Sequence, residues 1–158
     1  PLTLKKEPSD MTSLVEHTLK LVAAEALKNS IKMEIKTKPA LPRLSVDPDK
    51  IKQVLLNIFL NALAAMPTGG SLTVELAARS DFFEVTVTDT GEGINEEDLP
   101  RIYDPYFTSK PAGTGLGLAV AQKIMEAHDG TVQVESRIGF GTKATLRFGY
   151  TAEERITT

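Results

Sequence analysis

The spacing of hydrophobic residues predicts three helices. Residues 10–29 repeat apolar positions every three or four residues, as the buried stripe of an amphipathic helix does. A second helix is predicted over residues 47–66, because Asp47 can cap its start and a proline in the first turn suits it. A third helix is predicted from about Gly115 to Ala127.

Segments in which apolar and polar residues alternate predict strands between the helices. They lie at 31–37, 72–76, 83–87, 132–134 and 144–148, and a short strand is also expected at 2–6. Short turns join 72–76 to 83–87, and 132–134 to 144–148, so each of these pairs is predicted to form an antiparallel hairpin. Helices on one face of such a sheet make an α+β fold, a two-layer α/β sandwich whose mixed, mostly antiparallel sheet has about five strands.

Composition narrows the function mainly by exclusion. The chain has 158 residues, a formal net charge of −3, two histidines and no cysteine. Disulfides, thiolate chemistry and cysteine-based zinc sites are therefore excluded, and a centre built from several histidines is not expected. The acidic balance does not favour nucleic acid as a partner. We expect one domain over residues 1–158, with the polar residues 151–158 as a frayed tail.

Two asparagines interrupt the apolar part of the second predicted helix. From Val54 to Met66 the only polar side chains are Asn57 and Asn61, one turn apart on the same flank. A buried amide is costly without partners. Either both asparagines bond to neighbouring backbone, or their oxygens face a cavity that holds phosphate and a hard cation such as Mg²⁺.

Two glycine-punctuated stretches are further candidates. The sequence DTGEGI places Asp89 at a strand end, where its carboxylate can accept from an exocyclic amine, and Gly91 and Gly93 can bring backbone close to a flat ligand. An ordinary turn is the alternative. The sequence GTGLGLA at 113–119 opens the third predicted helix, where backbone N–H groups can hold an anion. A flexible connector is the alternative there.

A loop and a turn complete the candidate set. The sequence YDPYFTSK at 103–110 puts aromatic residues beside Lys110, which is either a point charge for a terminal phosphate or a solvated surface lysine. The sequence GFGT at 139–142 is a plain hairpin turn unless Thr142 contacts a ligand.

The order and spacing of these motifs resemble the N, G1, F, G2 and G3 boxes of histidine kinases. The likeness covers nearly the whole chain and includes EAHDGTVQVES at 126–136, while MPTGGSLTV at 66–74 is most similar to the nitrogen-regulation branch. The resemblance implies the GHKL ATPase fold, shared with DNA gyrase B, mismatch-repair ATPases and heat-shock chaperones. It implies the ATP-binding catalytic domain of a two-component sensor histidine kinase.

The resemblance also implies roles for single residues. Asn61 would ligate Mg²⁺, and Asn57, which would face the phosphates, is the residue to which catalysis is assigned. Asp89 would read the adenine amino group. The other nucleotide contacts would be Gly91, Gly93, Lys110, Gly113, Thr114, Gly115, Leu116, Gly117 and Thr142. Many family members carry a lysine and then an aromatic residue where this chain has Ala64 and Ala65.

Phosphorylation would be split between domains, because neither histidine has the surroundings of the family's acceptor box. We expect His17 and His128 to be structural, and the acceptor to lie on a separate helical dimerisation domain of the same protein. A response-regulator receiver domain would act downstream. The resemblance further implies Mg-ATP as cofactor with ADP as product, a monomeric isolated chain, a homodimeric parent and a cytoplasmic location.

Three alternatives to a histidine kinase remain at this level. Another GHKL ATPase would need a carboxylate to activate water, and none lies between Asp49 and Met66. An anti-sigma-factor serine kinase shares the boxes. A nucleotide-binding scaffold is favoured only by Ala64 and Ala65. The segment 105–115 has few apolar residues, so we expect it to be mobile without nucleotide.

Overall fold

The computed structural model describes residues 2–38, 40–105 and 117–150. The described helices are α1 (Met11–Lys28), α2 (Pro48–Ala64) and α3 (Ala119–Ala127), with a 3-10 turn at Leu99–Arg101. The strands are β1 (Glu7–Ser9), β2 (Ile31–Lys36), β3 (Leu44–Val46), β4 (Gly70–Ala78), β5 (Phe82–Asp89), β6 (Gly130–Arg137) and β7 (Gly141–Gly149). Among these residues, none of the helices has the length and hydropathy needed to cross a membrane.

Five of the strands form one mixed sheet in the order β2-β4-β5-β7-β6. Strands β2 and β4 are parallel, and the other three pairings are antiparallel. A separate two-stranded sheet joins β1 to β3. The predicted α+β fold with a mixed, mostly antiparallel sheet is confirmed.

One face of the sheet is apolar along most of its length and polar at one end. Val74, Val87 and Ala144 are aligned neighbours on this face, and all are buried in the core. The alternation of apolar and polar residues dictates this, since successive side chains point to opposite faces. At the end of the same face, strand register aligns Asp89 with Thr142. A polar row therefore begins where the core ends.

His128 ties the end of α3 to the start of α2. Its ring is 6% exposed; its Nδ1 lies 2.8 Å from the Ile124 carbonyl, and its Nε2 accepts from the Asp47 N–H at 3.0 Å. Both contacts require the neutral ring with its proton on Nδ1. The Asp47 side chain caps α2 by accepting from the Lys50 N–H, as the sequence predicted.

Two boundary predictions were wrong, and one strand was not predicted. The strand expected at 2–6 lies instead at Glu7–Ser9, where it pairs with the unpredicted β3. Pairing between distant segments creates these short strands, and no alternation within either of them signals it. The third helix begins at Ala119 rather than near Gly115, so Gly117 precedes it. A glycine inside a helix is unfavourable, which agrees with that later start.

Candidate functional site

Asp89 is a buried carboxylate at the last position of β5. Its side chain is 6% exposed, and its Oδ1 accepts from the Gly91 N–H at 2.9 Å and the Thr142 N–H at 3.2 Å. Burial raises the pKa of the Asp89 carboxyl above its ordinary value, while these two hydrogen bonds lower it in part. Within the described ranges both hydrogen bonds go to Oδ1, so Oδ2 remains available to a donor from a ligand.

The loop that follows Asp89 lies directly on the C-terminal end of α2. A Cβ atom placed on Gly91 would stand 2.5 Å from the carbonyl oxygen of Ala65, and the Glu92 N–H donates to that oxygen at 3.0 Å. Only a residue without a side chain fits at 91 while this packing is kept. The loop carrying Asp89 is therefore held against the helix that carries both candidate asparagines.

The same loop also rests on the turn between β6 and β7. Gly93 has a φ of +77°, and a Cβ there would lie 2.1 Å from the Arg137 carbonyl oxygen. The Gly139 N–H donates to the Glu92 carbonyl at 2.9 Å. The close approaches of Gly91 and Gly93 are thus to protein backbone, and their contact with a flat ligand stays a prediction.

Asn57 joins α2 to the end of the second glycine stretch. Its Nδ2 donates to the Gly117 carbonyl at 2.8 Å. Among the residues that the structure describes, none has an atom within 4 Å of a Cβ placed on Gly117. Backbone bonding, one of the two alternatives raised by the sequence, accounts for the amide nitrogen of Asn57.

Asn61 differs from Asn57 in a way that matters for ligand binding. Its Nδ2 is buried and has no hydrogen-bond partner among the described residues. It lies one turn from Asn57 and one turn before Ala65, whose N–H donates to the Asn61 carbonyl at 3.1 Å. A buried polar atom without a partner is unfavourable. An unpaired amide beside the Asp89 loop is the arrangement expected of a site that a polar ligand completes.

Thr142 and Ser136 extend the polar row across the sheet. The two hydroxyl oxygens are 2.7 Å apart, and strand register aligns the residues directly. Ser136 Oγ also accepts from the Ile94 N–H at 2.8 Å and donates to the Gly141 carbonyl at 3.0 Å. Sequence reasoning missed Ser136, although it continues the inward-facing series of Val132 and Val134 and is the polar member of that series.

Part of the predicted site is not described. Lys110, Gly113, Thr114, Gly115 and Leu116 lie outside the described residues, as does most of the segment 105–115 that was expected to be mobile. The structure brings together the predicted residues around α2, the Asp89 loop and the last hairpin. These are Asn57, Asn61, Asp89, Gly91, Gly93, Gly117 and Thr142.

One helix and one end of a mixed sheet bring the polar residues of the candidate site together. Residues 46–152 match the family model described as histidine kinase-, DNA gyrase B-, and HSP90-like ATPase. The match spans more than half of the chain, so the chain belongs to this family.

Two of the curated relatives that the chain resembles are named as kinases. The chain is 40% identical over 146 residues to the sensor histidine kinase ZraS of Escherichia coli (strain K12), and the match covers 92% of this chain and 31% of ZraS. It is 36% identical over 158 residues to sporulation kinase E of Bacillus subtilis (strain 168), covering 98% of this chain and 21% of that kinase. The chain therefore spans a third or less of the length of these relatives.

Solved structures agree in fold over 96% of the chain. The nucleotide-free catalytic domain of histidine kinase ThkA superposes with a TM-score of 0.84 at 27% identity, covering 96% of this chain and 100% of that one. ThkA in complex with response regulator protein TrrA superposes with a TM-score of 0.82 at 27% identity, covering 96% of this chain and 44% of that one. The prediction of a histidine kinase catalytic domain is confirmed, while the nitrogen-regulation branch stays a prediction.

Proposed function

We propose that this chain binds Mg-ATP in the cleft between α2, the Asp89 loop and the last hairpin. It presents the γ-phosphate to a histidine on a separate helical domain of the same protein. The buried Nδ2 of Asn61 carries this proposal, because it has no hydrogen-bond partner among the described residues and such a donor is unfavourable unless a ligand supplies one. Family membership supplies the nucleotide class.

Asp89 and Thr142 supply the adenine end of the cleft. Two backbone N–H groups hold the carboxylate through Oδ1, which leaves Oδ2 to accept from an exocyclic amine. Burial strengthens a hydrogen bond of this kind, because few water molecules compete for the carboxylate. Adenine offers an amino group at that edge.

Asn61 and Asn57 supply the phosphate end. Amide oxygens suit Mg²⁺, which takes one or two protein ligands and otherwise water and phosphate, so the Asn61 side chain fits the metal. When bound, Mg²⁺ would neutralise phosphate charge. Asn57 holds the Gly117 carbonyl at 2.8 Å, and so fixes Gly117 beside α2. Catalysis here consists of positioning and charge neutralisation.

The acceptor histidine and the downstream partner lie outside this chain in the proposal. His128 is buried with both ring nitrogens engaged, and His17 lies on the exposed side of α1. A separate dimerisation domain would supply the acceptor, and a response regulator would take the phosphoryl group onward. The complex of ThkA with a response regulator supports that second step.

The proposal is tested by calorimetry on Asn61→Ala. We expect the unmodified chain to bind ATP more tightly with Mg²⁺ than without it. Asn61→Ala should lose about 1–3 kcal/mol of Mg-ATP binding, the range for a hydrogen bond to a charged group. Gln53→Ala is the matched control, since Gln53 is an exposed amide on the same helix. Equal losses in the two variants, or a chain that binds no ATP, would contradict the proposal.

A further inference from the structure

We infer that Ser136 is a positioning residue that makes the site discriminate 6-amino from 6-oxo purines, by holding the Thr142 hydroxyl as a hydrogen-bond acceptor. The inference rests on the proposed adenine end of the cleft. It follows from the polar row at the end of the inner sheet face, where Asp89, Thr142 and Ser136 stand side by side on β5, β7 and β6.

The direction of each hydrogen bond follows from counting protons at Ser136. The Ile94 N–H can only donate, and it points at Ser136 Oγ from 2.8 Å. The Gly141 carbonyl can only accept, and it lies 3.0 Å from the same oxygen. Ser136 has a single hydroxyl proton, and Gly141 takes it.

The contact between the two hydroxyls then has one direction only. Thr142 Oγ1 lies 2.7 Å from Ser136 Oγ, and either oxygen taken alone could be the donor. Because the Ser136 proton is used by the Gly141 carbonyl, Thr142 must donate to Ser136. The Ser136 oxygen thereby donates once and accepts twice, which fills its capacity. Thr142 Oγ1 is left with lone pairs and no free proton.

The cleft therefore presents acceptors to its ligand at this end. Asp89 is a carboxylate whose Oδ1 already takes the N–H groups of Gly91 and Thr142. Thr142, its aligned neighbour across the strand pair, adds only lone pairs. A 6-amino purine brings hydrogens to this edge, whereas a 6-oxo purine brings a carbonyl oxygen. The second arrangement sets lone pairs against lone pairs, which disfavours binding.

Ser136 acts at a distance from the ligand in this scheme. Without its hydroxyl, the Thr142 O–H becomes free to rotate and to donate to a 6-oxo group. The Ile94 N–H and the Gly141 carbonyl would also lose a partner, which loosens the Asp89 loop. A looser Asp89 loop by itself would weaken the binding of every nucleotide to the same extent. A change in preference between nucleotides requires a change in the hydrogen-bonding group that position 142 presents to the ligand.

The test compares ATP with inosine triphosphate, which carries oxygen in place of the 6-amino group. Affinities for both are measured by competition with a fluorescent ATP analogue, in the unmodified chain and in Ser136→Ala. We expect the preference for ATP to fall about tenfold in Ser136→Ala, which corresponds to the contribution of one hydrogen bond. Ser136→Thr keeps a hydroxyl on a strand that accepts β-branched residues, so it should restore the preference.

Two further variants keep the result interpretable. Thr145→Val removes another buried hydroxyl, on the opposite sheet face, and should leave the preference unchanged. If Ser136→Ala does not fold, Thr142→Val replaces it and should also reduce the preference. Equal weakening of both nucleotides by Ser136→Ala, or full preference retained in Thr142→Val, would overturn this inference while the ATP site stands. An unmodified chain that binds neither nucleotide would overturn the proposed function itself.

Discussion

Asp89 combines two properties that oppose each other. Its burial makes ionisation unfavourable in the folded chain, and its pKa is accordingly raised. The same burial shields Asp89 Oδ2 from water, so a hydrogen bond from a ligand amine to this oxygen is strengthened. A carboxylate of this kind contributes to binding at the expense of the stability of the unliganded domain.

We therefore predict that Asp89→Asn raises the stability of the unliganded domain at neutral pH. The same substitution should weaken ATP binding by about 1–3 kcal/mol. The raised pKa means that the folded state binds the proton more tightly than the unfolded state. The stability linked to this carboxyl is therefore present at low pH and lost as pH rises through the folded pKa. Thermal unfolding of both proteins should differ most at neutral pH and converge in acid.

The exposed turn residue Asp81 gives the matched comparison for this prediction. Asp81→Asn changes the net charge by the same amount without touching a buried carboxylate. It should leave both ATP affinity and the pH dependence of unfolding close to those of the unmodified chain. A stability difference that is constant across pH would show that Asp89 does not titrate in this way.

At the scale of elements, α2 organises the cleft. Its middle turn reaches the second glycine stretch through Asn57, and its C-terminal end supports the Asp89 loop through Ala65. Ala65 stands where the resemblance to histidine kinases led us to expect an aromatic ring. In this chain the space beside it is occupied by Gly91, whose Cβ position is 2.7 Å from the Ala65 Cβ. The small side chains at positions 65 and 91 therefore allow the end of α2 and the Asp89 loop to pack closely.

This packing predicts that Gly91→Ala is destabilising. The added methyl would stand 2.5 Å from the Ala65 carbonyl oxygen, a backbone atom that moves only with the helix. We expect a loss of about 1–3 kcal/mol in the free energy of unfolding, the range for overpacking, together with weaker ATP binding as the loop shifts. Chemical denaturation gives the first quantity and calorimetry the second.

Gly149 supplies the control for Gly91→Ala. A Cβ on Gly149 would meet no atom of the described residues within 4 Å, so Gly149→Ala should change neither the stability nor the affinity by a comparable amount. If the two substitutions behave alike, the approach of the Asp89 loop to α2 is not the constraint that the structure indicates.

For the whole molecule, the proposed division of labour makes the isolated chain a nucleotide binder that does not phosphorylate itself. His128 is enclosed, with its ring nitrogens engaged by Asp47 and Ile124. We predict that incubation with radiolabelled Mg-ATP leaves the chain unlabelled, although the same sample binds ATP by calorimetry. Acid-labile label on His17 or His128 would contradict this prediction.

Much of the architecture was predictable because each helix or strand carries its own pattern. The apolar stripe of α1 and the alternation along β4 and β5 record which side of each element is buried. Caps are equally local, and Asp47 performs the role that its position before Pro48 indicated. Asp89, Asn57 and Asn61 became candidates through their chemical type in an apolar or glycine-rich setting, and their roles stay predictions.

The tertiary structure alone decided which distant segments meet. No local pattern shows that β1 pairs with β3, that the Ala65 carbonyl receives the Glu92 N–H, or that Ser136 joins a loop to a turn. Periodicity along the chain reports burial within one element, and chemistry reports what a side chain is able to bind. The contacts between elements depend on how all the buried faces pack at once, and a sequence pattern a few residues long does not contain that information.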